Sequence, residues 1–156
     1  REAIAHINHR VTVYVGTCDM NFEACVELSN YAIAQGADGA MVISPYYFNL
    51  PDSAILNFYD TLAQRVEGPL LLYNFPDRTG YDLGPALVTE LALRHENIIG
   101  IKDTVGAMGH TRGLIQRVKP QRPDFLIFSG FDEVFGHNVL SAGSWPFTMW
   151  RPSLCR

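Results

Sequence analysis

The chain has 156 residues, of which 47% are hydrophobic and 18% charged, enough to bury the core of about one domain. Its formal net charge is −4 and it has no basic stripe, which argues against nucleic acid as a partner. No apolar run approaches the roughly 20 residues of a membrane span, so we expect no membrane association. Three cysteines (Cys18, Cys25 and Cys155) lack metal-ligand spacing and predict reduced thiols in a cytoplasmic protein.

Five short apolar runs predict strands that are covered on both faces, because their residues do not alternate between apolar and polar. Amphipathic segments between them predict helices, which begin and end near proline, asparagine and glycine. In chain order we predict helix 1–9, strand 12–16, helix 21–35, strand 39–44, helix 52–66, strand 69–74, helix 85–94, strand 98–103, helix 109–118, strand 125–130 and helix 132–142.

The spacing of these strands is regular, since they end near positions 16, 44, 73, 102 and 129. Such βα units predict consecutive parallel strands with right-handed crossovers, in a doubly wound sheet or in part of a barrel. No glycine-rich dinucleotide loop follows a strand, and polar residues recur where strands end, as they do in barrel enzymes. We therefore predict an α/β fold, an incomplete (β/α)8 TIM barrel with about five of its eight βα units.

The last residues do not continue this pattern. We assign 1–143 to the partial barrel, and expect 144–156 to be a foreign or out-of-frame tail. That tail carries both tryptophans, Trp145 and Trp150, where a strand of small and β-branched residues is expected. Because a barrel open by three strands exposes unpaired edges and apolar surface, we expect the chain alone to be poorly soluble or inactive.

Lys102 is the sharpest candidate for chemistry, because it lies at the end of an apolar strand. A lysine amine with a buried stem at a barrel mouth is suited to attack a ketone and form a Schiff base. Snorkelling to solvent, or pairing with Asp103, is the alternative. Tyr73 ends the preceding strand, and neighbouring strands lie about 4.8 Å apart, so its phenol can relay protons at the same mouth. A core tyrosine bonded to a backbone carbonyl is the alternative there.

Other polar residues give weaker signals. Thr17 follows the first strand and could instead cap the next helix, and Tyr46 with Tyr47 could simply pack. Arg78 lies in a βα loop, where it could clamp a carboxylate or remain an exposed arginine. The five histidines show no metal-ligand spacing and are typical of surface or helix positions, so we predict no metal site.

Four segments together resemble one family, the dihydrodipicolinate synthase and N-acetylneuraminate lyase family. Residues 73–80, YNFPDRTG, are similar to its tyrosine motif Y-N-x-P-x-x-S/T-G, and residues 100–104, GIKDT, to its Schiff-base motif G-x-K-D/E-S/T. Gly16 and Thr17 followed by Asn21 resemble its first strand end, and residues 44–47, SPYY, its x-P-Y-Y turn. The motifs occur in family order over about residues 1–143, which would make the five strands the third to seventh of the barrel.

The resemblance implies a class I lyase that needs no external cofactor, because the lysine forms an imine with pyruvate or a 2-keto-3-deoxy sugar acid. Its partners would be pyruvate and a small aldehyde or 2-keto acid, and the full-length form would be a homo-oligomer, dimer or tetramer. The implied catalytic residues are Lys102, Tyr73 and Tyr47, with Tyr47 often acting across a subunit contact. The implied substrate-binding residues are Arg78, Thr17 and Asn74.

The identity of the substrate stays open at this point. Residues 72–76, 79–88 and 97–104 look most like bacterial 2-keto-3-deoxy-gluconate or -pentonate aldolases. Arg78 instead resembles the 4-hydroxy-tetrahydrodipicolinate synthases, which use an arginine there for the carboxylate of aspartate semialdehyde. The family's G-T-T-G-E pyruvate loop is absent from the sequence, which keeps an inactive truncated paralogue as an alternative. An unrelated α/β binding domain is a further alternative, which four ordered motifs disfavour.

Overall fold

A computed structural model describes residues 1–141 as alternating helices and strands. The strands are Tyr14–Gly16 (β1), Gly39–Ile43 (β2), Leu70–Asn74 (β3), Ile98–Asp103 (β4) and Leu126–Ser129 (β5). The helices are Glu2–Ile7 (α1), Phe22–Ala34 (α2), Asp52–Arg65 (α3), Pro76–Thr79 (α4), Pro85–Arg94 (α5), Met108–Val118 (α6) and Phe135–Leu140 (α7). A 3₁₀ turn, Asp132–Val134, precedes α7.

The five strands form one parallel sheet in the order β1-β2-β3-β4-β5. A doubly wound sheet would reverse its strand order at a switch point, whereas here each strand pairs with the next strand in the sequence. This topology confirms the predicted α/β fold and matches five consecutive units of a (β/α)8 barrel.

Strands β3 and β4 are mostly buried, as their continuous apolar runs predicted, whereas β1 at the edge of the sheet has no buried residue. Side chains alternate across a strand, so Leu70 and Leu72 pack with the helices in the main core, while Leu71 and Tyr73 point to the opposite, inner face. Helices α3, α5 and α6 cover the outer face with buried side chains that include Tyr59, Leu91 and Leu114. The inner face of β3 and β4 is therefore the face that a barrel would enclose.

Local differences from the predicted elements have identifiable causes. Strand β1 begins at Tyr14, two residues later than predicted. The loop after β3 contains the unpredicted helix α4, which has Pro76 at its first turn and Gly80 in the left-handed conformation (φ 84°) at its end. The predicted helix 132–142 is divided into the 3₁₀ turn and α7.

Within residues 1–141, no helix is both long and apolar enough to span a membrane. The predicted tail 144–156 lies outside the described residues, so its origin stays a prediction.

Gly100 is the tightest position of β4, which gives a test of the packing between β3, β4 and β5. A Cβ at Gly100 would lie 2.6 Å from the Leu126 carbonyl oxygen and 2.8 Å from Leu71 Cδ2. We expect Gly100→Ala to lower the free energy of unfolding by about 1–3 kcal/mol, because backbone must shift to admit the methyl group. Urea denaturation measures this, with Gly106→Ala as the control because nothing lies within 4 Å of its Cβ. Equal stability of the two variants would contradict the packing described.

Candidate active site at the carboxyl ends of the strands

Lys102 and Tyr73 meet at the carboxyl ends of β4 and β3. The two residues are register partners, and both side chains project from the inner face of the sheet. Lys102 is only 4% exposed, and its Nζ lies 4.2 Å from the centroid of the Tyr73 ring. A cation at this distance from a ring face is attracted by the ring quadrupole. The structure thus places the amine against a phenol ring and out of bulk water.

The next residue of each strand points the other way. Asn74 and Asp103 are also register partners, and Asn74 Nδ2 donates to Asp103 Oδ1 at 3.0 Å on the outer face. Asp103 is fully buried, and its Oδ2 accepts a hydrogen bond from Thr111 Oγ1 at 2.8 Å. The carboxylate that follows the lysine is therefore directed toward helix α6.

A histidine completes this arrangement. His110, in the first turn of α6, places Nδ1 3.0 Å from Asp103 Oδ2 and Nε2 2.9 Å from Asp82 Oδ2. Asn74 Nδ2 also donates to Asp82 Oδ1 at 2.7 Å, so that the contacts between these side chains form a closed ring. We call Asn74, Asp82, Asp103, His110 and Thr111 the outer polar cluster. Its members come from β3, β4, α6 and the loop between α4 and α5.

The electrostatics of the outer polar cluster favour a charged imidazole. Burial by itself would lower the pKa of His110, but its hydrogen bond to Asp103, its 2.9 Å contact with Asp82 and the charges of both carboxylates raise it to about 10. Burial likewise opposes the ionisation of Asp82, yet the contact with His110 and the hydrogen bond from Asn74 leave its pKa below the usual value. The raised pKa of His110 therefore favours the imidazolium form at neutral pH.

The spacing of the histidines predicts only surface or helix positions and does not indicate this role for His110. It does lie in a helix, but its side chain is only 11% exposed. A sequence signal existed: Asp103 must face outward if Lys102 faces inward, and His110 lies in the first turn of the helix that covers that outer face.

Cys18 also lies near the inner mouth. Its Sγ accepts a hydrogen bond from the Ile43 amide at 3.1 Å and bridges the ends of β1 and β2. Burial raises the pKa of the Cys18 thiol, while the Ile43 and Thr17 amides and the positive charge of Lys102 act in the opposite direction. The sequence predicts a reduced thiol at Cys18, but no pattern in it indicates that the thiol lies near the amine.

Two other predicted site residues, Thr17 and Asn74, direct their polar atoms toward the helices and loops of the outer face. Thr17 is buried, with its hydroxyl 2.7 Å from Ser29 Oγ of α2, and it does not cap α2, because Asn21 does. Asn74 has its amide in the outer polar cluster, and its Oδ1 accepts from the Leu83 amide. These contacts favour structural roles for both residues, whereas substrate binding by them stays a prediction.

Arg78 and Tyr47 are both exposed near the mouth. Arg78 lies in the last turn of α4, with its guanidinium carbon 5.7 Å from the centroid of the Phe75 ring. Tyr47 is 85% exposed, contacts the Phe48 ring edge-to-face and has φ 82°. A left-handed conformation at a tyrosine is costly, and such strain is concentrated at functional sites.

A family model, protein sequences and solved structures that are similar to this chain all point to the same protein family. The model of the Dihydrodipicolinate synthetase family matches residues 1–145. A probable 2-dehydro-3-deoxy-D-pentonate aldolase of Escherichia coli (strain K12), YjhH, is 42% identical over 147 residues, which are 94% of this chain and 49% of the relative. The chain therefore spans about half the length of this relative.

Two solved structures are similar over most of the chain. One is YagE, a prophage protein of the dihydrodipicolinic acid synthase family from E. coli K12, in complex with pyruvate (TM-score 0.88, 41% identity, 92% of this chain and 48% of that chain). The other is a chloride-inhibited dihydrodipicolinate synthase from Acinetobacter baumannii complexed with pyruvate (TM-score 0.87, 32% identity, 95% and 50%).

The charge of His110 predicts a pH dependence of stability. A pKa raised from 6.5 to about 10 adds stability that is fully present below pH 6.5 and is lost as the pH rises through about 10. We expect wild type to be more stable than His110→Gln at pH 6, with this difference shrinking steadily toward pH 10. Urea denaturation of both proteins across this range measures the difference. A difference that is constant with pH would show that folding does not raise the pKa of His110.

Proposed function

Because the chain belongs to the dihydrodipicolinate synthetase family, we propose that it is part of a class I pyruvate lyase that cleaves or forms 2-keto-3-deoxy sugar acids. One observation carries this proposal: the Lys102 amine is buried against the Tyr73 ring, at the carboxyl ends of neighbouring parallel strands. Similarity to a pentonate aldolase and to two pyruvate complexes supports the substrate class. The activity is that of the whole protein, of which this chain covers about half by comparison with its relatives.

The proposed reaction begins when the unprotonated amine of Lys102 attacks the C2 carbonyl of the keto acid. The carbinolamine loses water to form an imine, which is an electron sink. In the cleavage direction, the C4 hydroxyl loses its proton while the electrons of the C3–C4 bond move into the protonated imine; an aldehyde leaves, and a neutral enamine remains. Protonation of the enamine at C3 and hydrolysis of the imine release pyruvate and restore the amine.

Tyr73 is the proposed proton carrier for these steps. Carbinolamine formation and breakdown each move a proton to or from the oxygen attached to C2, and a phenol beside the amine can do both. Its ring stacks on Phe75, with centroids 6.1 Å apart, which restricts the orientation of the phenol. No cofactor is required in this scheme, because the covalent imine with Lys102 provides the electron sink.

Tyr47 and Arg78 have proposed roles at the edge of the site. Tyr47 would extend the proton relay from a neighbouring subunit of a homo-oligomer, which fits its exposure and its strained backbone. Arg78 would bind the carboxylate of the second substrate. The free thiols of Cys18 and Cys25 suit a reducing compartment, and support a cytoplasmic location for the protein.

A second candidate function is 4-hydroxy-tetrahydrodipicolinate synthesis from pyruvate and aspartate semialdehyde. The exposed guanidinium of Arg78 beside the mouth favours it, as does similarity to the A. baumannii synthase. Supplying each aldehyde to the full-length enzyme with pyruvate separates the two functions. A truncated paralogue without turnover is the third alternative, and the absence of a trapped pyruvate imine in a folded sample would favour it.

Imine formation can be tested cleanly, because the chain contains two lysines, Lys102 and Lys119. We expect incubation with pyruvate and borohydride to add one reduced pyruvate unit irreversibly at Lys102. The Lys102→Met variant should give no adduct, whereas Lys119→Met should react as wild type does, because Lys119 contacts the Pro123 carbonyl on the surface. Peptide mass spectrometry locates the adduct. A folded wild-type chain without adduct, or with adduct at Lys119, would contradict the proposal.

The relay role of Tyr73 has a separate test. Tyr73→Phe keeps the ring that contacts Lys102 and removes the hydroxyl, so we expect the imine still to form, but about a hundredfold or more slowly. The time course of borohydride-trapped adduct measures the rate. Tyr31→Phe, which removes an exposed hydroxyl from α2, is the control and should have no effect. Equal rates for Tyr73→Phe and wild type would exclude proton transfer by this phenol.

A further inference from the structure

We propose that His110 is a positioning residue: with Asp82 and Asp103, it fixes the β3–β4 register from the outer face and so holds Lys102 against Tyr73 on the inner face. This inference rests on the proposed function for its catalytic meaning. It concerns residues that do not touch the substrate, and its first test needs no pyruvate.

The register at the mouth needs such a constraint. The pairing of β3 with β4 shifts between Leu70 and Leu71, so that Leu70 pairs with Ile98 but Leu71 pairs with Gly100. A slip of one residue in a strand moves every side chain to the opposite face. At this mouth, a slip of β4 would turn Lys102 toward α6 and Asp103 toward the inner face. The two residues behind the candidate pair, Asn74 and Asp103, are joined at 3.0 Å and oppose that slip.

With His110, this single hydrogen bond becomes one side of a closed ring of contacts that joins Asn74, Asp103, His110 and Asp82. Asp103 is fully buried, and a buried carboxylate is tolerated when it is paired and hydrogen-bonded. His110 provides the cation at 3.0 Å, and its second nitrogen reaches Asp82 at 2.9 Å. Asp82 is held in turn by Asn74, at 2.7 Å. Loss of the imidazolium leaves two carboxylates that share Asn74 and repel each other.

Among residues 1–141, the charged groups that raise the pKa of His110 are Asp103 and Asp82. Asp103 comes from β4 and Asp82 from the loop before α5, while Asn74 and Thr111 contribute neutral hydrogen bonds to the same carboxylates. The position of Lys102 should therefore respond to the protonation of one imidazole on the other side of the sheet.

The chain offers a matched control for this histidine. His95 Nε2 lies 2.7 Å from Asp60 Oδ1, and this side chain is also mostly buried, at 15% exposure. His95 follows α5, at the opposite end of the sheet from the mouth, just before the start of β4. Substitution of His95 removes a similar histidine–carboxylate pair without touching the ring of contacts behind Lys102.

The first test labels amines with trinitrobenzenesulfonate and measures the ratio of Lys102 to Lys119 modification by peptide mass spectrometry. Wild type should give a low ratio, because Lys102 is buried. His110→Gln and the milder Asp82→Asn should raise the ratio roughly tenfold, as a weakening of the constraint by about 1.4 kcal/mol would. His95→Gln should leave it unchanged. In wild type the ratio should rise as the pH approaches 10, and in His110→Gln it should be high already at pH 8.

The second test measures borohydride trapping of pyruvate on the same variants, under conditions where circular dichroism shows each to be folded. We expect His110→Gln and Asp82→Asn to trap pyruvate up to about a hundredfold more slowly, the effect of misplacing a reacting group by about 1 Å. Unchanged labelling ratios and trapping rates in both variants would overturn the positioning role. If labelling rises in the variants but wild type traps no pyruvate, the constraint is supported and the proposed function is the part that fails.

Discussion

The pairing of two adjacent residues on β3 with two on β4 is the constraint on which the rest of the site depends. Tyr73 opposes Lys102 on the inner face, and Asn74 opposes Asp103 on the outer face. Because neighbouring side chains of a strand point to opposite faces, a single register determines both contacts. The chemistry on one face and the polar cluster on the other are thus two consequences of the same hydrogen-bonded ladder.

Apolar packing and charged contacts hold different parts of the sheet in place. The helices supply a continuous core against Leu70, Leu72 and Ile101, which makes the sheet a rigid support for side chains at its carboxyl edge. A cluster of charged and amide groups interrupts this core where β3 and β4 end. Buried polar clusters of this kind favour one arrangement of their members, and that is the property which the proposed reaction of Lys102 requires.

Much of this arrangement follows from sequence. Regular apolar runs predicted the five strands, and strand-end positions identified Lys102 and Tyr73 as neighbours. The contacts of Asp82 with Asn74 and His110 could not be predicted, because Asp82 follows a short helix, α4, in a loop whose path depends on packing. Likewise, Thr17 is a polar residue at a strand end, but its hydroxyl is directed to Ser29 of α2, which no local pattern indicates.

The resemblance of residues 100–104 to a Schiff-base motif and the burial of Lys102 beside Tyr73 support the same proposed amine, and covalent capture of the substrate is the most direct test of that proposal. The decisive measurement is a crystal structure of the protein after reduction of its pyruvate complex with borohydride. Our account predicts continuous density from Lys102 Nζ to C2 of the former keto acid, with the Tyr73 hydroxyl beside it and Asp103 still bonded to His110. Pyruvate bound elsewhere, with an unmodified Lys102, would contradict it.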